Sequence, residues 1–156
     1  VTTTATVPVI RLSCVDEMRA LAGELFAAHY DEITRHKDVC KLDPDWAAYE
    51  RVEKAGALLA IGAWVGSTMV GYSVTIVVPH LHYVDTILAQ NDVLYVAPEH
   101  RGSSVGGRLI SETERLAKER GASIMTWHAK PGTALDTLMT RLRRYSVHET
   151  IYARTM

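Results

Sequence analysis

The sequence predicts an α/β (α+β) domain of 156 residues built around a central sheet. Three observations point there. Short β-prone runs alternate with segments of helical spacing from end to end. Gly66-Ser67 separates two long apolar runs, residues 57–65 and 68–78, as a hairpin turn does. Residues 92–110 pass from strand period through a glycine-bearing loop into helix period. A chain of this length predicts one domain, able to bury a core without disulfide or metal staples.

The elements run in order along the chain. Residues 7–12 read as a first strand. Ser13 then caps a helix, with Asp16 three residues on as its capping-box partner. Val15, Met18, Leu21, Leu25, Phe26 and Ile33 form the buried stripe, and the spacing carries this helix to about Lys37. Asp43-Pro44 reads as N-cap and first-turn proline of a second helix through Trp46, Tyr49 and Val52, ending at Gly56. After the hairpin, residues 79–91 read as a loop holding His80, His82, Tyr83 and Asp85. Val93, Leu94, Tyr95 and Val96 form a short strand that Pro98 stops, since proline cannot donate to a ladder. From Val105 the apolar residues recur at Leu109, Ile110, Leu116 and Ala117, and Gly121 reads as the helix C-cap. Residues 123–128 form the next strand. Pro131-Gly132-Thr133 leads into a helix through Leu135, Leu138, Met139 and Leu142, and residues 145–147 and 150–154 supply closing strands. The resulting order is β-α-α-β-β-β-α-β-α-β-β.

Composition excludes several classes. A net charge of −1 makes no electrostatic case for nucleic acid or an anionic membrane. Cys14 and Cys40 have neither metal spacing nor disulfide density, as expected of a reducing cytoplasm. The longest apolar run, residues 57–65, contains Gly62 and is far too short to span a bilayer. The start, Val1-Thr-Thr-Thr-Ala, carries neither the basic nor the apolar region of a signal peptide. Lacking an initiator Met, it is expected to be a processed start or to differ from the translated one.

The chemistry concentrates in residues 92–110. A loop that delivers backbone N–H groups to a helix N-terminus is a natural anion site, because the first turn has unpaired donors at a positive dipole end. Gly102, Gly106 and Gly107 let a polyanion approach the backbone without interference from Cβ atoms, although Gly106 and Gly107 are also readable as close helix packing. No Gly-Lys-Ser/Thr follows, so this is not a P-loop, and no acidic residue ends a following strand as a dinucleotide fingerprint needs.

Strand, Val96-Ala97-Pro98, Arg101-Gly102-Ser103-Ser104-Val105-Gly106 and helix, in that order, resemble the pyrophosphate loop of the GNAT-type N-acetyltransferases. That pattern is Arg/Gln-x-x-Gly-x-Gly/Ala. Ser104 stands where the family usually has glycine; its N–H remains available, and its hydroxyl can cap the helix or bond a phosphate. The phrase Ala63-Trp-Val-Gly-Ser-Thr-Met-Val-Gly-Tyr72 is similar to the family's second hairpin, and the element order matches its fold along the whole chain. The likeness is strongest to small members carried by tailed bacteriophages. The resemblance implies a mixed, mostly antiparallel central sheet of six to seven strands flanked by about four helices, with a splayed pair of central strands. It implies acetyl-CoA as donor and direct transfer of the acetyl group to a primary amine of a small-molecule or protein acceptor, and relatives of the fold often form homodimers. Neither cysteine lies near the motif, which argues against a thiol intermediate.

The resemblance also assigns roles. The backbone of Leu94, Tyr95 and Val96 pairs with the pantetheine arm as an added strand. The amides of Arg101, Gly102, Ser103, Ser104, Val105, Gly106 and Gly107 hold the pyrophosphate, and an N–H of the Tyr95–Val96 segment polarises the thioester carbonyl. Arg101 and Arg108 are candidates for the phosphate charges, with Arg108 equally readable as a solvated helix face. Thr133 stands where an asparagine commonly contacts the cofactor. The base is Asp92 or His128; against these stand a capping role for Asp92 and a strand-end histidine satisfied by backbone. An imidazole titrates in the range suited to accept an amine proton. His80, His82 and Tyr83 are expected to line the acceptor pocket, and the His80-x-His82 pair lacks a third ligand at readable spacing, so no metal is expected. The tyrosine that often serves as general acid in the last helix is replaced by Thr140. Tyr145 or Tyr152 substitutes, or the thiolate leaves with help from solvent. The alternative is a non-catalytic CoA-binding or protein-interaction module on the same fold, or a site for another phosphate ligand such as a nucleotide.

Overall fold

The computed structural model describes residues 7–156, so the unusual start, residues 1–6, lies outside the described residues. Five strands lie side by side in chain order: β1 (Val9–Leu12), β2 (Leu58–Val65), β3 (Thr68–His80), β4 (Tyr83–Val96) and β5 (Ile124–Trp127). The first four pair antiparallel, and β5 joins β4 in parallel. A parallel step needs a crossover, supplied by α4 (Val105–Glu119). The other helices are α1 (Val15–Leu21), α2 (Gly23–Ile33), α3 (Trp46–Lys54) and α5 (Ala134–Arg141). None is long and apolar enough to cross a membrane.

Alternation along the central strands sends side chains to two cores. On one face Ala60, Trp64, Tyr72, Val74 and Tyr95 pack with Val15 and Met18 of α1, Phe26 of α2 and Trp46 of α3. On the other face Leu59, Ile61, Val70 and Val77 pack against Val105, Leu109 and Ala117 of α4. The motif helix is thus held by its apolar stripe under the sheet. Its C-terminus closes as the sequence predicts: Gly121, at φ 85°, lets Ala122 N–H reach Ala117 O at 3.0 Å and its own N–H reach Lys118 O at 2.9 Å.

Several expectations need correction. Among the described residues the sheet has five strands, not six to seven, and there are five α-helices rather than about four. The expected first helix breaks at Ala22, which is buried and sits at φ −98°, ψ 2°; Gly23 beyond it has poor helix propensity and opens α2 in a new direction. The Ser13–Asp16 capping box does not form. Cys14 is the N-cap, Ser13 Oγ donates to Glu17 at 2.6 Å, and the Val15 N–H donates to Glu53 Oε1 of α3 at 2.9 Å, a cap supplied across the fold. Asp45 rather than Asp43 caps α3, accepting from Ala48 N at 2.8 Å. Residues 79–91 are not a loop. They belong largely to the β3–β4 hairpin, which turns between His80 and Tyr83. Leu81, Tyr83 and Val84 there are exposed, so no buried face imposes alternation on the sequence. Residues 145–147 and 150–154 form no strands; Val147, Ile151 and Tyr152 remain exposed, with no sheet face to cover them.

Two features of β4 shape the site. The β3–β4 register slips between Val74, opposite Val93, and Thr75, opposite Asn91, so Asp92 is an extra residue in a β-bulge. Pairing with β5 runs from Leu88 opposite Ile124 to Asn91 opposite Trp127, where β5 ends. From Asp92 to Val96, β4 keeps β3 on one side and meets no strand on the other among the described residues. Close approach of β3 to this segment requires Gly71, where an added Cβ would sit 2.9 Å from Tyr95 O. Gly71→Ala is expected to lower unfolding free energy by about 1–3 kcal/mol through overpacking; an unchanged urea midpoint would contradict this packing.

Candidate functional site

The free edge of β4 presents defined groups. Tyr95 O points towards β3, next to Gly71, and Ala97 N–H donates to Val70 O at 2.9 Å. Successive residues turn their backbone groups to opposite sides, so those of Leu94 and Val96 face the gap. Val96 O is already engaged by Arg101 Nε at 2.8 Å. This leaves the N–H and C=O of Leu94 and the N–H of Val96 directed outward. Tyr95, expected to contribute a polarising N–H, therefore lends its backbone to the β3 ladder instead, and Val96 is the member of that pair whose N–H faces the gap.

Immediately beyond, a 3-10 turn at Pro98–His100 leads into the loop and α4. The amides of Gly102, Ser103, Ser104, Gly106 and Gly107 have no acceptor among the described residues, while Val105 N–H reaches Ser103 Oγ only at 3.4 Å. Gly102 sits at φ 72°, a left-handed conformation that a side chain would strain. These donors gather at the positive end of a 15-residue helix, the electrostatics an anion requires. The sequence-derived phosphate cations are placed otherwise. Arg101 makes a bidentate pair with Glu32 of α2 at 2.8 and 2.6 Å, and Arg108 donates to Pro8 O at 2.6 Å. Arg101 thereby ties the loop to α2, and its guanidinium holds the Glu32 carboxyl below the usual range.

On the α2–α3 face lies a cavity of about 260 Å³ whose lining includes Phe26, His29, Tyr30, Tyr49, Tyr72 and Val93. His29 Nδ1 lies 2.7 Å from the Tyr72 hydroxyl, and its ring stacks on Tyr95 with centroids 4.8 Å apart. Tyr95 in turn donates to Glu32 Oε2 at 3.2 Å. Burial, followed by the charge of Lys130, lowers the His29 pKa and keeps the imidazole neutral. Burial raises that of Tyr72, keeping its hydroxyl protonated. The charge of Asp92 acts on His29, Tyr49 and Tyr72, so this carboxylate belongs to the same neighbourhood while itself remaining exposed.

The structure therefore brings Asp92, Leu94, Tyr95, Val96 and the residue 101–107 loop together. His128 is exposed, one residue past the last β5 pair, Asn91 with Trp127. Thr133 is the α5 N-cap, donating to Lys130 O at 2.8 Å and accepting from Asp136 N at 3.4 Å. His80, His82 and Tyr83 sit at the β3–β4 turn, where His80 is roughly 17 Å along β3 from Thr75, the partner of Asn91, and they do not line the cavity; among the described residues no third His, Cys, Asp or Glu joins that histidine pair. Thr140 donates to Asp136 O at 2.9 Å, the Tyr145 hydroxyl bonds Glu114 of α4, and Tyr152 lies exposed beyond α5. Sequence reasoning missed His29 and Glu32. His29 follows Phe26 by three positions on the buried stripe, a spacing that marks it as facing the core.

A family model, Acetyltransferase (GNAT) family, matches residues 19–145, and the chain belongs to that family. Acetyl-CoA is its acetyl donor and an amine its acceptor. No curated protein matches the sequence. Among solved structures, it is similar to ribosomal-protein-alanine N-acetyltransferase from Brucella melitensis biovar Abortus 2308, at 21% identity and TM-score 0.71, covering 96% of this chain and 99% of that one. An aminoglycoside acetyltransferase from an uncultured soil metagenomic sample, in complex with sisomicin, aligns at 16% identity and TM-score 0.74, covering 96% and 97%. AAC(6')-Iy in complex with the bisubstrate analogue CoA-S-monomethyl-acetylneamine aligns at 17% identity and TM-score 0.66, covering 96% and 98%. At these identities the likeness is one of fold.

The depressed His29 pKa sets a pH signature. Below the ordinary value of 6.5 the unfolded chain binds a proton that the folded chain resists, so stability falls as pH drops from there through the folded value. The lowered carboxylates, Glu17, Glu32, Glu50 and Glu112, act below 4.5. Urea midpoints at pH 7.5 and 5.5 should therefore differ in the native protein and converge in His29→Gln. An equal shift in both proteins would remove His29 as the source.

Proposed function

We propose that the gap beside β4 receives the pantetheine arm, that the residue 101–107 loop holds the pyrophosphate, and that the aromatic cavity receives the amine. The observation that carries this reading is the adjacency of two unsatisfied donor sets: the strand edge of Leu94 and Val96, and the amides at the start of α4. An extended amide-bearing chain ending in a diphosphate fits both at once, the first by strand addition and the second by the helix terminus. Acetyl-CoA, when bound, supplies an acetyl group activated as a thioester. Transfer makes one C–N bond and breaks one C–S bond, so one proton must leave the amine and one must reach sulfur.

The chain's residues divide that work. Asp92 draws the ammonium form of the acceptor to the lip of the cavity. Tyr72, donating to Nδ1 of neutral His29, forms a pair that accepts the amine proton through the hydroxyl. The N–H of Val96 polarises the reacting carbonyl, as oxyanion donors do. Solvent returns a proton to sulfur, since Thr140 and Tyr145 are committed elsewhere. His128, on the opposite lip, is the competing base. The same commitment of Thr140 and Tyr145 favours a second reading, CoA binding without turnover, which thiol-release and calorimetric assays separate. Cys14 and Cys40, both free and exposed, support a cytoplasmic location. The homodimer expected of this fold is tested by molar mass in solution, and the kinship with bacteriophage-borne members rests on sequence alone.

Two variants test the assignments. Gly106→Arg has room to fold, since a Cβ there meets only Val96 Cγ2 at 4.0 Å. It should weaken acetyl-CoA binding by calorimetry at least about 100-fold by filling an anion seat; unchanged affinity refutes the loop assignment. His29→Gln should lower kcat by about 100-fold at neutral pH, the scale of a lost general base, with acetyl-CoA affinity retained. Loss in His128→Ala but not in His29→Gln would move the base to the other lip.

A further inference from the structure

Granting acetyl transfer at the β4 edge, we infer that the acceptor is a monoamine carrying an apolar, preferably aromatic, body. The walls of the cavity dictate this. Phe26, Tyr49 and Tyr72 line it, with Phe26 and Tyr72 at 4.9 Å between ring centroids; Trp46, outside the lining, stacks on Phe26 at 5.7 Å and meets Tyr49 at 5.5 Å. Their faces offer apolar contact to a flat group and quadrupole attraction to a cation near it. The polar lining residues Thr34, Lys41 and Asp43 join these rings, and Thr34 and Asp43 can meet the amine end of such a molecule.

Charge limits the acceptor to one ammonium. Asp43 lines the cavity and Asp92 acts on its walls, but Lys41 lines it too and offsets one of them. Glu32, the other nearby carboxylate, is held by Arg101 and Tyr95. A polycation such as an aminoglycoside would leave several ammonium groups without carboxylate partners. Volume points the same way. About 260 Å³ falls below the roughly 300–1,000 Å³ of pockets that enclose drug-sized ligands. A single ring with a short aminoalkyl chain suits it.

The test uses the full chain with phenethylamine and tryptamine, with spermidine and kanamycin as polycations, and with a short peptide beginning in alanine. Thiol release should give kcat/KM for the arylalkylamines at least about tenfold above the polycations and the peptide, a discrimination within reach of apolar contacts. Independently of turnover, the arylalkylamines should raise the melting temperature of the protein saturated with CoA, and spermidine should not. Lys41→Glu, a change at an exposed position, should improve spermidine relative to phenethylamine by about threefold or more through one added surface ion pair. Preference for a polycation or the peptide overturns the monoamine class and leaves acetyl transfer standing. Acetyl-CoA binding with no thermal response to any arylalkylamine overturns it as well. Failure of acetyl-CoA to bind overturns instead the reading on which it depends.

Discussion

The carboxamide of Asn91 is buried at the point where β4 leaves β5. Its Nδ2 lies 3.0 Å from Val74 O and 3.1 Å from Val93 O, carbonyls on either side of the bulge at Asp92. Ser73 and Thr75 hydroxyls lie at 3.1 Å, and Thr113 of α4 joins through Ser73 at 3.0 Å. A buried polar cluster is costly where its members go unpaired; the two Asn91 N–H donors are shared among these four acceptors, while its Oδ1 has no partner among the described residues, and the bonds that are made hold one geometry. Here they fix the extra residue in β4. That residue turns Asp92 towards the cavity neighbourhood and sets which backbone groups beyond it face β3 and which face the gap. Without the bulge the register beyond Asn91 would slip by one and exchange the roles of Tyr95 and Val96. The free edge of Leu94 and Val96 thus depends on the buried Asn91 side chain.

A second tie joins the two halves of the site. Glu32 accepts two bonds from Arg101 and one from Tyr95, linking α2 to the end of β4 and to the loop. Both partners are more than a third exposed, 37% and 39%, so solvent screening leaves the pair little net stability. Its contribution is positional. Bidentate geometry fixes direction as well as distance, and Arg101 Nε at the same time caps Val96 O. The strand edge, the anion loop and the helix carrying His29 therefore share one reference point.

What was readable in the sequence had a local cause. Strand, loop and helix in residues 92–110 were visible because Pro98, the glycines and the apolar stripe of α4 act within a few residues of one another. Gly121 was readable because a left-handed C-cap favours glycine. The exposed β3–β4 hairpin was not, since without a buried face Tyr83 and Val84 carry no alternation. The break at Ala22 depends on packing of α1, and the cap on Val15 comes from Glu53 on another helix. At the site, the loop of unpaired amides before α4 was legible but the pairing of Arg101 was not, because its partner is 69 residues away. The direction of the Tyr95 amide needs the β3–β4 register, which one-dimensional spacing does not contain. His29 was hidden by its own stripe, where a histidine three positions from Phe26 reads as core.

The uneven distribution of polar groups reflects the reaction itself. An alkyl amine has a pKa near 10.4, so presenting it neutral at pH 7 costs about 4–5 kcal/mol, whereas a thiol ionises near 8.5 and its anion departs easily into water. A protein that can tune only one end gains most at the amine. In this chain the neutral imidazole, the protonated phenol and the nearby carboxylate all gather there. In α5 the Thr140 hydroxyl is turned back on its own helix. Loss of a general acid is tolerable where the leaving group is already a weak base. In the proposed mechanism the His29–Tyr72 pair has no such latitude, because an acceptor left as an ammonium ion has no lone pair with which to attack.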